Sequence, residues 1–522
     1  MMHSLAFAIT LLLGVVACGS TKNEGSTGTG GASAGSGNQG NSAGTTASKG
    51  GASAAGGTGG SGTGGGGGTG GGVATAGGVS TAGGVSTAGG VGTGGGVGTG
   101  GGVGTAGGSG TAGGSGTAGG GGTAGTTGTL PSRRSFVDTN ATIAILADQL
   151  PQMSNAQMTF ATSHYVGTEK QLLPVTQALR AQNPNFLVLH YHLAMWQSAP
   201  TTDFIINGTS WGNDYPTVTT NETWFWHNTS NQRVPSSADG KLLMNISVPG
   251  FQQYWAQSLI AQVKAGDYDA IFLDSASPAL LQGECSGGDS RLAGTAARDT
   301  QFVELGNSNW INAWQAWITG LNASLAAQGI PLLPNTSAFV TGWDNTDYSL
   351  TAGAFVEGFS DRGFVVSDWK ASTNELLKLS AADKILILQN YLSNSTDIAT
   401  RLYYLGNYLL VKGHHTYLDY FAAGPLEWYP EWEVKLGAPK STATDVSALL
   451  SGGVYRRDFA QGSVLVNPSA STVAVDLGGT HQRVVPSGGG AVDASGATTG
   501  SLAMQPVTSL NVAATSAEII LN

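Results

Sequence analysis

Tyr268-Asp269-Ala270-Ile271-Phe272-Leu273-Asp274 is a short apolar run closed by a carboxylate. A run without polar alternation reads as a strand buried on both faces, as in a parallel sheet covered by helices. A carboxylate at its end costs several kcal/mol to bury unless it is paired or used. Asp274 is therefore the first residue to explain.

Seven further apolar runs flank this one: Thr142 to Ala147, Met158 to Ala161, Phe186 to Tyr191, Pro331 to Leu333, Ala354 to Val356, Ile385 to Leu388 and Thr416 to Leu418. Between them lie helical spacings such as Phe251-Tyr254-Trp255-Leu259-Val263 and Trp310-Trp314-Trp317-Leu321, each with one apolar face. Strand and helix alternating eightfold predict an α/β fold, a (β/α)8 TIM barrel, over residues 131–440. After Asp445 the helical signal stops. Runs such as Ser463-Val464-Leu465-Val466, Val473-Ala474-Val475 and Glu518-Ile519-Ile520-Leu521 predict a small all-β, sandwich-like domain over 445–522.

The part before Pro131 is of another kind. Leu5 to Val16 is an apolar stretch too short to span a bilayer stably, and it suits the core of a signal peptide over residues 1–17. It ends in Val15-Val16-Ala17-Cys18, which resembles the lipobox of bacterial lipoproteins, although no Lys or Arg precedes it. That resemblance implies lipidation at Cys18 and attachment to a membrane through the lipid; Gly19 after the cysteine implies passage to the outer membrane or cell surface. Residues 18–130 are almost wholly Gly, Thr, Ala, Ser and Val, with repeats such as Val79-Ser80-Thr81-Ala82-Gly83-Gly84. This composition buries too little apolar area to offset ordering entropy, so a disordered linker is expected. As a coil of about 110 residues it would span on the order of 60 Å. All twelve tryptophans lie beyond it.

Charged residues are only 10% of the chain and the net charge is −10, which argues against nucleic acid or an anionic membrane surface as an electrostatic partner. There are two cysteines, so with Cys18 lipidated Cys285 has no partner for an intrachain disulfide.

In a (β/α)8 barrel the site is built where strands run into their following loops. The residues at those positions are Asp148, His164, His190 and His192, Asp274, Asn335, Glu357, Gln389 and Tyr417. Asp274 and Glu357 close apolar strands two apart. Glycoside hydrolysis needs such a pair, one carboxyl to protonate the leaving oxygen and one to attack the anomeric carbon or activate water. The others are candidates to hold substrate, together with Trp211, Trp224 and Trp226, whose rings suit the apolar faces of sugars. Trp314 and Trp317 have helical spacing and are expected in the core. No metal is expected: His190 and His192 share a strand face but no HExxH or carboxylate cluster accompanies them. Without a GxSxG elbow or a phosphate loop, no cofactor is expected either.

Several of these stretches together resemble the hypothetical glycosyl-hydrolase-like family fifteen, distinct from the glucoamylases, over roughly Thr142 to Pro468. They are His164-Tyr165-Val166-Gly167-Thr168-Glu169-Lys170, Leu179 to Tyr191, Ile271-Phe272-Leu273-Asp274, Val356-Glu357-Gly358-Phe359 and Arg456-Arg457-Asp458-Phe459 running to Asn467-Pro468. The resemblance implies a TIM barrel with a strand-four Asp and a strand-six Glu as catalytic groups, matching Asp274 and Glu357. Glu169 stands where the family usually has Gln. The sequence thus points to a lipid-anchored glycosidase acting on a poly- or oligosaccharide. The rival expectations are a non-catalytic carbohydrate-binding lipoprotein and an anchored structural or adhesion protein.

Overall fold

The computed structural model describes residues 133–197, 205–206, 209–210, 214–227, 231–233, 241–276, 300–337, 346–421 and 424–522. Within them eight strands form one parallel sheet: β1 Ile145–Gln149, β2 Tyr165–Glu169, β3 Leu187–Leu193, β4 Ala270–Asp274, β5 Leu332–Pro334, β6 Gly353–Glu357, β7 Ile385–Tyr391 and β8 Thr416–Phe421. Their order is β6-β7-β8-β1-β2-β3-β4-β5, and a parallel bridge between Asn335 and Phe355 draws the two edges together into a nearly closed barrel.

Helices α1 Asn155–His164, α2 Leu173–Gln182, α3 Pro249–Ala265, α4 Thr300–Ala326, α5 Val366–Ala381 and α6 Ile398–Val411 join the strands. On α3 the buried residues are Phe251, Trp255, Ala256, Leu259 and Val263, the face that the spacing indicates. Trp314 and Trp317 of α4 are buried as expected.

The second strand differs from its expected place. Met158 to Ala161 lies in α1, and β2 begins only at Tyr165. The local reason is a capping box. Ser154 accepts a hydrogen bond from Gln157 N while Gln157 accepts one from Ser154 N, so two orphan donors of the first turn are satisfied and a helix starts there.

The C-terminal strands are β9 Val454–Phe459, β10 Gly462–Asn467, β11 Val473–Ser487, β12 Ser501–Val512 and β13 Ser516–Leu521. With Leu450–Ser451 they make one antiparallel sheet, Leu450–Ser451 beside β9 and then β9-β10-β13-β11-β12. One face, with Val464, Val466, Ala517 and Ile519, joins the barrel's core. The other carries Leu465 and Ile520, which the long β11–β12 hairpin covers with Val475, Leu510 and Val512.

Helix α6 lies between the barrel and this sheet, which is why Arg401 to Val411 are all buried. Gly406 permits the close approach, since a Cβ there would meet Ala517 Cβ at 2.4 Å. Arg457 of β9 donates to the carbonyls of Leu409, Leu410 and Lys412, satisfying acceptors that the end of α6 leaves open.

Candidate active site

Four strand ends share one device. Lys170 after β2, Ser275 after β4, Ser337 after β5 and Gly358 after β6 all have left-handed backbone, with φ of 56°, 52°, 56° and 72°. Three of them are not glycine, and a left-handed non-glycine residue costs energy that the surrounding structure must offset. Each turns the chain sharply next to a polar strand-end residue.

Asp274 and Glu357 meet over Asn335. One nitrogen, Asn335 Nδ2, donates to Asp274 Oδ1 at 2.9 Å and to Glu357 Oε2 at 2.6 Å. The amide is held in that orientation because its own Oδ1 accepts from Ser337 N at 3.1 Å. The two carboxylate oxygens are therefore no farther apart than the two bonds end to end, about 5.5 Å. Asp274 also accepts from Ser275 N at 2.7 Å and from Tyr191 Oη at 2.7 Å. Tyr391 Oη donates to Glu357 Oε1.

The two carboxyls have different surroundings. Burial pushes the Glu357 carboxyl up to about 7, and the nearby Asp274 adds to the shift. Asp274 accepts from three donors, Tyr191 Oη, Ser275 N and Asn335 Nδ2.

Beside this pair is a second polar group. Lys170 Nζ forms an ion pair with Asp148 and lies 5.2 Å from the centre of the Tyr191 ring and 5.1 Å from that of Phe272. Asp148 faces it because β1 is irregular there: Ala147 pairs with Thr168 and Gln149 with Glu169, leaving Asp148 as the extra residue of a bulge. Burial works against the Lys170 ammonium, but Asp148 and Glu169 outweigh it and hold its pKa above the ordinary lysine value. Gln389 donates to Asp419 at 2.9 Å. Burial, then Asp148, pushes Asp419 up to about 7. Glu169 is fully buried, and neither carboxyl oxygen has a hydrogen-bond partner among the described residues. Burial, then Asp148, raises its pKa well above the ordinary carboxylate value.

The structure thus brings together Asp148, Asn335, Gln389, Asp274 and Glu357. Other expected site residues lie elsewhere. His190 and His192 face the helices: His190 Nε2 bonds Gln262 at 2.7 Å, and His192 Nε2 meets Asp214 at 3.1 Å with its ring against Trp255. The period of two that turns Tyr191 toward Asp274 turns both histidines away. Burial, then His192, lowers the His190 pKa to about 3, so its ring is neutral.

His164 is the last residue of α1, at the opposite end of β2 from Lys170, and it stacks on Phe160 at 3.8 Å. Tyr417 is near the start of β8, where its hydroxyl donates to Val137 O at 2.6 Å. Trp226 is buried, and Trp224 packs against Phe251 and Tyr254. Trp211, Cys18 and Cys285 lie outside the described residues.

Lys170 and Tyr391 join this group of residues without having been candidates from the sequence, where Glu169 stands out only as replacing the family's usual Gln. Their signal was available in part: Glu169-Lys170 would have stood at a strand end had β2 been placed correctly, and Tyr391 is two residues beyond Gln389 on the same strand.

The profile of the hypothetical glycosyl hydrolase family 15 matches residues 180–463, more than half of the chain. The chain belongs to this family. By that membership it is a glycoside hydrolase, and the matched span contains Asp274, Asn335 and Glu357. No curated protein matches the chain. Solved structures similar to this family member include the noncanonic maltogenic alpha-amylase AmyB of Thermotoga neapolitana, at 9% identity and TM-score 0.35, covering 73% of this chain and 97% of that one. A cycloalternan-degrading enzyme of Trueperella pyogenes is similar at 10% identity and TM-score 0.37, covering 75% and 63%. A GH31 dextranase of Flavobacterium johnsoniae is similar at 8% identity and TM-score 0.40, covering 75% and 52%. The chain spans less than two thirds of the length of these last two.

Proposed function

We propose that this protein is an exported, lipid-anchored glycosidase that cleaves an O-glycosidic bond of a poly- or oligosaccharide with retention of configuration. Asp274 is the nucleophile and Glu357 the general acid and base. The observation that carries this reading is the single Asn335 nitrogen touching both carboxyls. Retaining enzymes hold their carboxyls about 5–5.5 Å apart, whereas inverting ones leave about 6.5–9.5 Å for a water.

In the first step an Asp274 oxygen bonds to the anomeric carbon as the glycosidic C–O bond breaks, and the Glu357 proton passes to the leaving oxygen. In the second, Glu357 takes a proton from water, the water oxygen bonds to the anomeric carbon, and the ester to Asp274 breaks. Glu357 begins protonated because its pKa is near 7, and Asp274 begins as the hydrogen-bonded acceptor.

The test is sugar release by the full-length chain from a panel of bacterial and plant polysaccharides and oligosaccharides, with the first-formed anomer read by proton NMR. Release with retention, lost in D274N and E357Q, supports the reading. Release with inversion would overturn the nucleophile assignment. Silence across the panel with sugar binding intact would favour a non-catalytic carbohydrate-binding protein.

Anchoring rests on Leu5 to Cys18. Its test is incorporation of labelled palmitate, expected in the parent and lost in C18A.

A further inference from the structure

The two oxygens of Asp274 are not equivalent. Oδ1 accepts from Ser275 N at 2.7 Å and from Asn335 Nδ2 at 2.9 Å, so both of its lone pairs are engaged. Among the described residues Oδ2 accepts from Tyr191 Oη alone, at 2.7 Å. An acceptor position therefore remains on Oδ2 and none on Oδ1.

The strands place Tyr191 to reach that oxygen. On β3 it pairs with Phe272 of β4, and the period of two puts Phe272 and Asp274 on one face. A phenol opposite Phe272 thus extends toward the carboxylate two residues farther along. The Tyr191 ring is buried, 5.5 Å from the Phe272 ring, with the Lys170 ammonium 5.2 Å from its centre. Packing fixes the ring, and its hydroxyl is aimed at Asp274.

We propose that Oδ2 is the oxygen of Asp274 that attacks, and that Tyr191, bonded to it, is a catalytic residue whose hydroxyl acts mainly in the second step. The proposal rests on Asp274 being the nucleophile of a retaining reaction. In the first step a lone pair of Oδ2 bonds to the anomeric carbon, the glycosidic C–O bond breaks with its electron pair on the leaving oxygen, and that oxygen takes the Glu357 proton. Oδ2 passes from carboxylate to ester oxygen, a poorer acceptor, so the Tyr191 hydrogen bond weakens. In the second step the water oxygen bonds to the anomeric carbon, Glu357 takes a proton from the water, and the electron pair of the C–Oδ2 bond returns to Oδ2. Charge then grows on the atom that Tyr191 faces, where a fixed donor is worth most. Tyr191 therefore stabilises the departing carboxylate. In the first step it stabilises the starting carboxylate at least as much as the transition state, and so gives no acceleration there. It keeps its own proton throughout.

The experiment compares the full-length chain with Y191F, which keeps the packed ring and removes the hydroxyl. The probes are 2,4-dinitrophenyl glycosides of the common hexoses in both anomeric forms, with dinitrophenolate release followed by stopped flow, the product anomer by proton NMR and the protein by intact mass. Y191F is expected to lower kcat about 10-fold or more and to change kcat/KM by less than about 3-fold, so that KM falls with kcat. A burst of dinitrophenolate and a protein heavier by a glycosyl unit should accompany this. A hydroxyl that only supported the fold would lower kcat and kcat/KM together with no build-up of glycosyl-enzyme; that result, or unchanged kinetics, overturns the proposal. The second measurement, which also decides if Y191F does not fold, is a crystal structure of the parent trapped with a 2-deoxy-2-fluoroglycosyl fluoride. An ester through the oxygen that faces Tyr191 supports the proposal, and one through the oxygen on Ser275 N overturns it. A parent that is inactive on every probe, or that inverts, overturns the retaining-glycosidase reading and this proposal with it. An active, retaining parent with an unaffected Y191F overturns this proposal alone.

Discussion

Asp419 shows how a single buried carboxyl sets a pH dependence. Its folded pKa is about 7 against an ordinary 3.8, chiefly through burial. The folded state therefore binds its proton more tightly than the unfolded state does, and stability falls as pH rises through the window from about 4 to about 7. The loss is on the order of a few kcal/mol. D419N keeps an oxygen to accept from Gln389 but has no proton to lose. Its melting temperature relative to the parent should climb between pH 4 and pH 7 and level off above, as measured by thermal unfolding at a series of pH values. A constant difference across that range would mean Asp419 does not titrate in the barrel. Residues of this kind were partly legible in the sequence. Asp274, Glu357 and Asn335 were readable as candidates because each ends an apolar run, and the end of a strand in a barrel is a defined place. His190 and His192 were misplaced because β3 is buried on both faces. When neither side meets water, hydropathy does not tell the side facing the helices from the side facing Asp274.

Among the elements, seven of the eight expected strands overlap observed ones. β2 does not, and the reason is compositional. Tyr165-Val166-Gly167-Thr168-Glu169 carries a glycine at its centre and a carboxyl at its end, so it lacks the apolar run that marks the others. Gly167 is needed there: a Cβ would meet Leu187 Cβ at 2.6 Å on the neighbouring strand. That single misplacement hid Lys170 and moved His164 to the wrong end of the barrel. Glycine has a similar part in α6. Alanine at position 406 should favour an isolated helix by about 1 kcal/mol. Here its methyl group would press on Ala517 at 2.4 Å and Val466 at 3.1 Å. Overpacking of this kind costs about 1–3 kcal/mol, so G406A is expected to lower stability despite its better helix propensity. Denaturant unfolding checks the sign, and a stabilised G406A would show that α6 and β13 can part without cost.

At the scale of the whole body, the described residues from 133 to 522 have one main core that runs from the barrel through α6 into the C-terminal sheet. Several hydrogen bonds cross that boundary. Arg401 of α6, fixed by its fully buried ion pair with Glu431 at 2.6 Å, reaches across to donate to Gly488 O at 2.9 Å. Ser154 and Gln157, at the start of α1, donate to Ala494 O and Val492 O. Arg457 satisfies the last carbonyls of α6 from the sheet side. A boundary near residue 445 is readable from composition, because helical periodicity ends there. That the two parts share a core is not, since α6 reads simply as an apolar helix and the sequence does not say what covers its second side. Ending the chain at Thr442 would uncover that side of α6, leave Arg401 without its Gly488 contact, and remove the donor to its final carbonyls. Buried polar groups left unsatisfied cost about 1–3 kcal/mol each, and the exposed apolar face adds to this. The truncated chain is therefore expected to be insoluble or rapidly proteolysed. The intact chain, heated in a calorimeter, should show one cooperative transition for barrel and sheet together; two well-separated transitions, with a truncated barrel that stays folded, would show instead that the C-terminal sheet is an independent appendage.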